Sequence, residues 1–155
     1  MVVRRQRVKF LVRDGGVIRE LVWGEGKPLA DYSVEGATCL GSLSEGNKQV
    51  MLLGLARSPA RGERATVSTR RLVKNAVTGR DGYAEVLVER PTESLSLTVR
   101  FPRARPPLDA RLVTSPPCRA GRRLACRYGR DGRPYLKWSA HRPDNHVVYS
   151  VRWRW

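Results

Sequence analysis

Residues 146–155 read His-Val-Val-Tyr-Ser-Val-Arg-Trp-Arg-Trp, and this stretch decides the fold class. Val147, Tyr149, Val151, Trp153 and Trp155 share one side of an alternation of period two, and Val148, Ser150, Arg152 and Arg154 share the other. That period belongs to a β-strand with one apolar face. Three aromatic rings on one face need a broad apolar surface opposite them. The strand is therefore expected to close the core, with Trp153 buried.

The preceding segments repeat the signal. Leu124 to Tyr128 and Pro134 to Trp138 flank Gly129-Arg130-Asp131-Gly132, the mark of a hairpin. Tyr83 to Arg90 and Leu95 to Phe101 both alternate, and Pro91 to Ser94 between them reads as the turn of another hairpin. Pro102, Pro106 and Pro107 end that strand, because proline cannot donate to a ladder. Arg5 to Arg13 and Val17 to Trp23, joined by Asp14-Gly15-Gly16, read as a further hairpin. The most apolar stretch, Lys48 to Arg57, is too short for a buried helix and suits a strand covered on both faces. Tyr32 and Val34, Ala65 to Thr69, and Arg111 to Thr114 suggest weaker strands. Gly24 to Asp31, Gly41 to Asn47, Ser58 to Glu63 and Ser115 to Arg122 read as loops, and Arg70 to Asp81 as a mobile excursion.

About nine to eleven strands at regular spacing, with no amphipathic helix, predict an antiparallel β-sandwich or partly closed barrel. A length of 155 residues suits one all-β domain spanning 1–155. The Phe101-Pro102 strand end, the hairpin beyond it and the tyrosine-bearing last strand resemble accessory β-domains of bacterial signalling proteins. The resemblance carries no site residues over.

Thirty basic residues against 14 acidic ones give a net charge of +16. A GC-rich genome would account for arginine in place of lysine, but not for the excess of bases over acids. Residues 100–155 hold 14 bases and three acids, against 16 and 11 in residues 1–99, so the field is expected to be one-sided. Arginine binds phosphate bidentately, which points to an anionic partner such as nucleic acid. Arg103, Arg105, Arg119, Arg122, Arg123 and Arg127, in or beside polar loops, are the candidate contacts. Trp153 and Trp155 are read as core rather than as a stacking platform, since an alternating strand buries its apolar side.

Other chemistries find little support. Cys118, Cys126, His141 and His146 occur in the order of a zinc site, but seven residues separate the two cysteines where a zinc knuckle has two to four. No Gly-x-Ser-x-Gly elbow or phosphate-cradling glycine motif is present. Glu85 and Glu89 share a strand face but stand ~13 Å apart. No metal, cofactor, small-molecule substrate or catalytic activity is therefore expected. No apolar run is long enough to cross a membrane, and no export signal is read. Three cysteines, an odd number, suggest reduced, buried thiols in a cytoplasmic protein. The expected function is a basic module binding nucleic acid; the alternative is a protein-interaction or accessory assembly module of a bacterial signalling or defence system.

Overall fold

The computed structural model describes residues 1–11, 16–23, 27–45, 48–74, 79–116 and 119–155. Among them are thirteen strands and no helix: β1 Val2–Lys9, β2 Val17–Trp23, β3 Lys27–Glu35, β4 Thr38–Glu45, β5 Lys48–Gly54, β6 Arg64–Lys74, β7 Asp81–Leu87, β8 Thr92–Arg100, β9 Asp109–Ser115, β10 Arg119–Arg123, β11 Arg127–Tyr128, β12 Pro134–His141 and β13 Val148–Arg154. They form three antiparallel sheets, ordered β11-β12-β8-β1-β6-β3, β10-β9-β13-β7 and β2-β5-β4. No sheet closes into a barrel. The six-stranded sheet is one layer of a sandwich, and the two smaller sheets share the other.

The apolar residues follow that division. Leu97, Val99 and Leu136 of the six-stranded sheet pack with Ala84, Val151 and Trp153 of the four-stranded one. Val8 and Val67 pack with Ile18, Val22, Met51 and Leu53 of the three-stranded sheet. As expected, β13 is central, paired with β7 on one side and β9 on the other. Its rings join the layers: Phe101 meets Trp153 edge-on at 5.2 Å, and Trp138 stacks on Tyr149 at 4.7 Å. Aromatic pairs in these geometries contribute ~0.5–1.5 kcal/mol beyond the area they bury.

Trp153 fits between small residues, lying in register with Gly82 on β7 and Ala110 on β9. A Cβ at Gly82 would sit 2.5 Å from the indole ring. Gly82→Ala is expected to cost ~1–3 kcal/mol by overpacking. Urea denaturation checks this, and a midpoint equal to the parent's would show that the ring has room to move.

Several sequence expectations are corrected. Of the three hairpins, only β11–β12 forms, closed by the Gly129 N–H donating to the Arg133 carbonyl at 3.0 Å. β7 and β8 belong to different sheets. Residues 88–91 bridge them, with the Val88 N–H on the Val147 carbonyl and the Lys9 N–H on the Pro91 carbonyl. Two strands that each carry one apolar face have met face to face rather than edge to edge, so Val86 and Val88 pack on Leu95. β1 and β2 separate in the same way, and the Asp14-Gly15 turn lies outside the described residues. Four predicted non-strand regions contain strand: β3 runs through part of 24–31, β4 through part of 41–47, β6 extends to Lys74, and β10 occupies 119–123. β4 and β10 are the two that raise the count to thirteen, since β3 and β6 only lengthen strands already expected.

β6 is legible in the sequence only from Ala65 to Thr69, because past Val67 its inward residues, Thr69 and Arg71, are polar. Along β1, Val2 serves one apolar cluster and Val8 the other, while Arg4 and Gln6 lie between them. Facing them is Glu20 of β2, only 5% exposed. Glu20 accepts hydrogen bonds from the Tyr32 hydroxyl at 2.7 Å and the Thr69 hydroxyl at 3.0 Å, and its carboxylate stands 3.9 Å from Arg4. Gln6 accepts from Arg4 and donates to the Thr92 hydroxyl at 2.6 Å. Buried Arg71 completes the group, with its Nη1 unpartnered. Burial pushes both guanidiniums below their ordinary range, with Glu20 opposing, and burial and Glu20 raise the Tyr32 hydroxyl. A polar seam therefore divides the two apolar halves.

Candidate nucleic-acid interface

Arg103 and Arg105 lie in the connection crossing from β8 to β9. The Arg103 guanidinium donates to the Asp131 carbonyl, through Nε at 2.9 Å and also through Nη2. Arg105 lies over Trp155, 4.4 Å from the ring centroid, within cation–π range. Arg122 and Arg123 are consecutive in β10 and so point to opposite faces. Arg123 shares the outward face with Arg111 and is 3.7 Å from Asp109, whereas Arg122 is in register with half-buried Leu112. Arg119 pairs with Thr114; its side chain is not among those described. Arg127, exposed on β11, is in register with Tyr135, which is in register with Arg100.

The structure thus collects these arginines along the edge where the chain crosses between layers, but not on one face. Two carboxylates partly neutralise Arg123 and the neighbouring bases. Asp109 is 3.3 Å from Arg111, and Asp131 is 3.8 Å from both Arg100 and Arg133. Exposed ion pairs of this kind contribute ~0–1 kcal/mol and leave the excess positive charge facing solvent.

The outer face of the four-stranded sheet is mixed in sign. Arg111, Arg152 and Tyr83 share one row across the sheet, and Asp109, Arg154 and Asp81 the next. They line an open groove of about 860 Å³. The alternation of charges leaves no uniform field for an anion.

The outer face of the six-stranded sheet differs. Val3, Arg5, Arg7 and Lys9 of β1 point away from the core, since Val2 and Val8 point in. Register places Lys137, Thr98, Val3 and Arg70 in one row, and Ser139, Ser96, Arg5 and Ser68 in the next. The row beyond holds His141, Ser94, Arg7 and Thr66. Arg127 and Arg100 lie at one margin, Lys9 and Arg64 at the other. Acids are few. Glu93 takes Arg64 at 2.5 Å and Arg7 at 3.4 Å, and Asp31 and Glu35 sit on the edge strand β3. Hydrogen bonding to Arg64 holds the Glu93 carboxyl below its ordinary range. Arg5, Arg70 and Lys137 have no acidic partner among the described residues.

Sequence reasoning missed this face because its residues come from strands far apart in the chain. Arg5 and Ser68 are neighbours only through pairing. The available signal was the polar half of each alternation, with hydroxyls or bases at 3, 5, 7 and 9 and again at 94, 96, 98 and 100, except for Val3.

No group of three or more His, Cys, Asp or Glu suited to a metal occurs among the described residues, and Cys118 lies outside them. Cys39 and Cys126 are free thiols. Against expectation Cys39 is exposed, on the edge strand β4, and Cys126 is half-buried, its thiol pushed up by burial. No helix among the described residues is long and apolar enough to cross a membrane. Compared with protein-family models, curated proteins and solved structures, the chain matches none of them.

Proposed function

We propose that this β-sandwich is a non-catalytic binding module whose partner is nucleic acid. One observation supports the reading above the others: the six-stranded sheet presents an exposed outer face on which Arg5, Arg70 and Lys137 lack acidic partners among the described residues. Guanidinium and ammonium groups among serine and threonine hydroxyls are the side chains that contact phosphate and sugar. Arg127 joins this face to the crossing edge, where Arg103, Arg105, Arg122 and Arg123 extend the positive field.

The test is a titration with unlabelled-sequence pools of single- and double-stranded nucleic acid at two salt concentrations. Binding is expected at low salt, weakening steeply as salt rises, because each neutralised phosphate adds about −0.7 to −0.9 to the log–log slope. Charge reversal at Arg122, Arg123 and Arg127 is expected to lower affinity and leave melting unchanged, since all three are exposed. Absence of binding to either form at low salt would discard the function.

A second reading has its own observation. Leu40 and Leu43 are 60% and 59% exposed on β4, the edge strand of the three-stranded sheet. An open strand edge with apolar side chains suits strand addition by a protein partner. This is the protein-interaction reading, that of an accessory module in a bacterial signalling or defence assembly, and it stands if nucleic acid does not bind.

A further inference from the structure

We infer that the outer face of the six-stranded sheet takes double-stranded nucleic acid, held by its phosphate backbone without base readout; this rests on the nucleic-acid function proposed above and adds the form of the ligand and the site.

Three features of the face argue for a duplex. A single strand held without sequence preference is gripped by stacking its bases on exposed aromatic rings. In the rows described above the only ring besides the His141 imidazole is Tyr135, half-buried in the marginal row. The tryptophans that might have stacked are turned inward, with Trp153 and Trp138 packed against Phe101 and Tyr149. The face therefore offers bases almost nothing. It offers phosphates and sugars a floor of hydroxyls from Ser68, Ser94, Ser96, Ser139, Thr66 and Thr98.

The spacing of the cations is the second feature. Lys137 on β12 and Arg70 on β6 share a row across β8 and β1, so three strand intervals separate them. At 4.7–4.9 Å per interval their Cα atoms stand ~14 Å apart. That is close to the ~12 Å width of the major groove of B-form DNA, whose two walls are phosphate backbones. Long, flexible side chains at both positions can each take one wall.

Arg5 supplies the third feature. It lies between those two strands and one row along, where a guanidinium can reach a phosphate that neither neighbour covers. None of these three bases is neutralised within the described residues, so each is available to displace a counterion.

The experiment compares one duplex of random sequence with its separated strands, for the parent, for the variant Arg5→Glu, Arg70→Glu, Lys137→Glu, and for the crossing-edge reversal given above. The parent is expected to bind the duplex at least tenfold more tightly than either strand, and equally across duplex sequences. The face variant is expected to lose duplex binding and to flatten the log–log salt slope by about 2.7, three phosphate contacts at 0.9 each. Milder substitutions to Gln at the same positions test the same contacts should the Glu variant fail to fold, and are expected to flatten the slope likewise. Parent binding that favours the single strand, or duplex binding that the face variants leave intact, overturns this inference while the general function stands. Failure of the parent to bind any nucleic acid removes both.

Discussion

Trp153→Ala is expected to destabilise the fold by ~3–5 kcal/mol, the range for truncating a buried aromatic residue to alanine. The indole is 7% exposed, on the central strand of its sheet, with Phe101 edge-on and Trp155 packed at 6.2 Å. Its neighbours in register are glycine and alanine, so neither flanking strand offers a side chain to fill the space. For a domain of this size a loss of that magnitude lowers the melting temperature by roughly 6–20 °C. A variant melting within two or three degrees of the parent would show that the site collapses around the loss. Trp155→Ala serves as the comparison. Trp155 is less buried and carries Arg105 on its face, so a smaller loss is expected there.

The other large effect is expected at Glu20. Its carboxylate is the acid nearest the buried guanidiniums, and Arg4 and Arg71 would face each other without it. Arginine does not shed its proton, so both charges stay. Removing one partner of a buried ionic group costs ~3–5 kcal/mol, chiefly because the remaining charge is left uncompensated. Glu20→Gln separates charge from hydrogen bonding, since an amide oxygen still accepts from Tyr32 or Thr69. It is expected to lose most of what Glu20→Ala loses, measured as the shift in urea midpoint. A glutamine variant as stable as the parent would show that hydrogen bonding, not charge, holds the seam. Replacing Arg4, Glu20 and Arg71 together by Met or Leu is expected to recover stability, as apolar replacement of buried ion groups often does.

What the sequence disclosed follows from which residues point inward. β13 was legible because Tyr149, Val151 and Trp153 are buried while Arg152 and Arg154 are exposed, so period and chemistry agree over that stretch; Ser150, on the side read as outward, is buried as well. β6 was legible only from Ala65 to Thr69, because Thr69 and Arg71 occupy inward positions where an apolar residue is looked for. No local pattern reveals that a glutamate 49 residues earlier awaits them. The segment joining β7 and β8 has a length that suits a hairpin or an arch equally, and the choice is made by the cores each strand completes. The charge excess was plain in composition, and the edge arginines were found as loop residues. The face with the least acid was not found, since Arg5 and Arg70 become neighbours only once β1 and β6 have paired.

The position of β1 in the middle of its sheet also sets an order of events during synthesis. Val2 pairs with Arg71 on one side and with Val99 on the other. At about 5–20 residues per second, the ribosome needs roughly 5–20 s after making β1 before β8 exists to receive it. For that interval the edge of β1 that β8 will fill stays open, whereas β6 can already pair with the other edge. Chains dominated by such distant pairings cross the folding barrier slowly. The arginines of β1 keep that waiting strand charged, and charge on an open strand is a known guard against sticking to another chain. The same side chains that make the finished sheet attractive to phosphate thus protect the nascent one from its own copies.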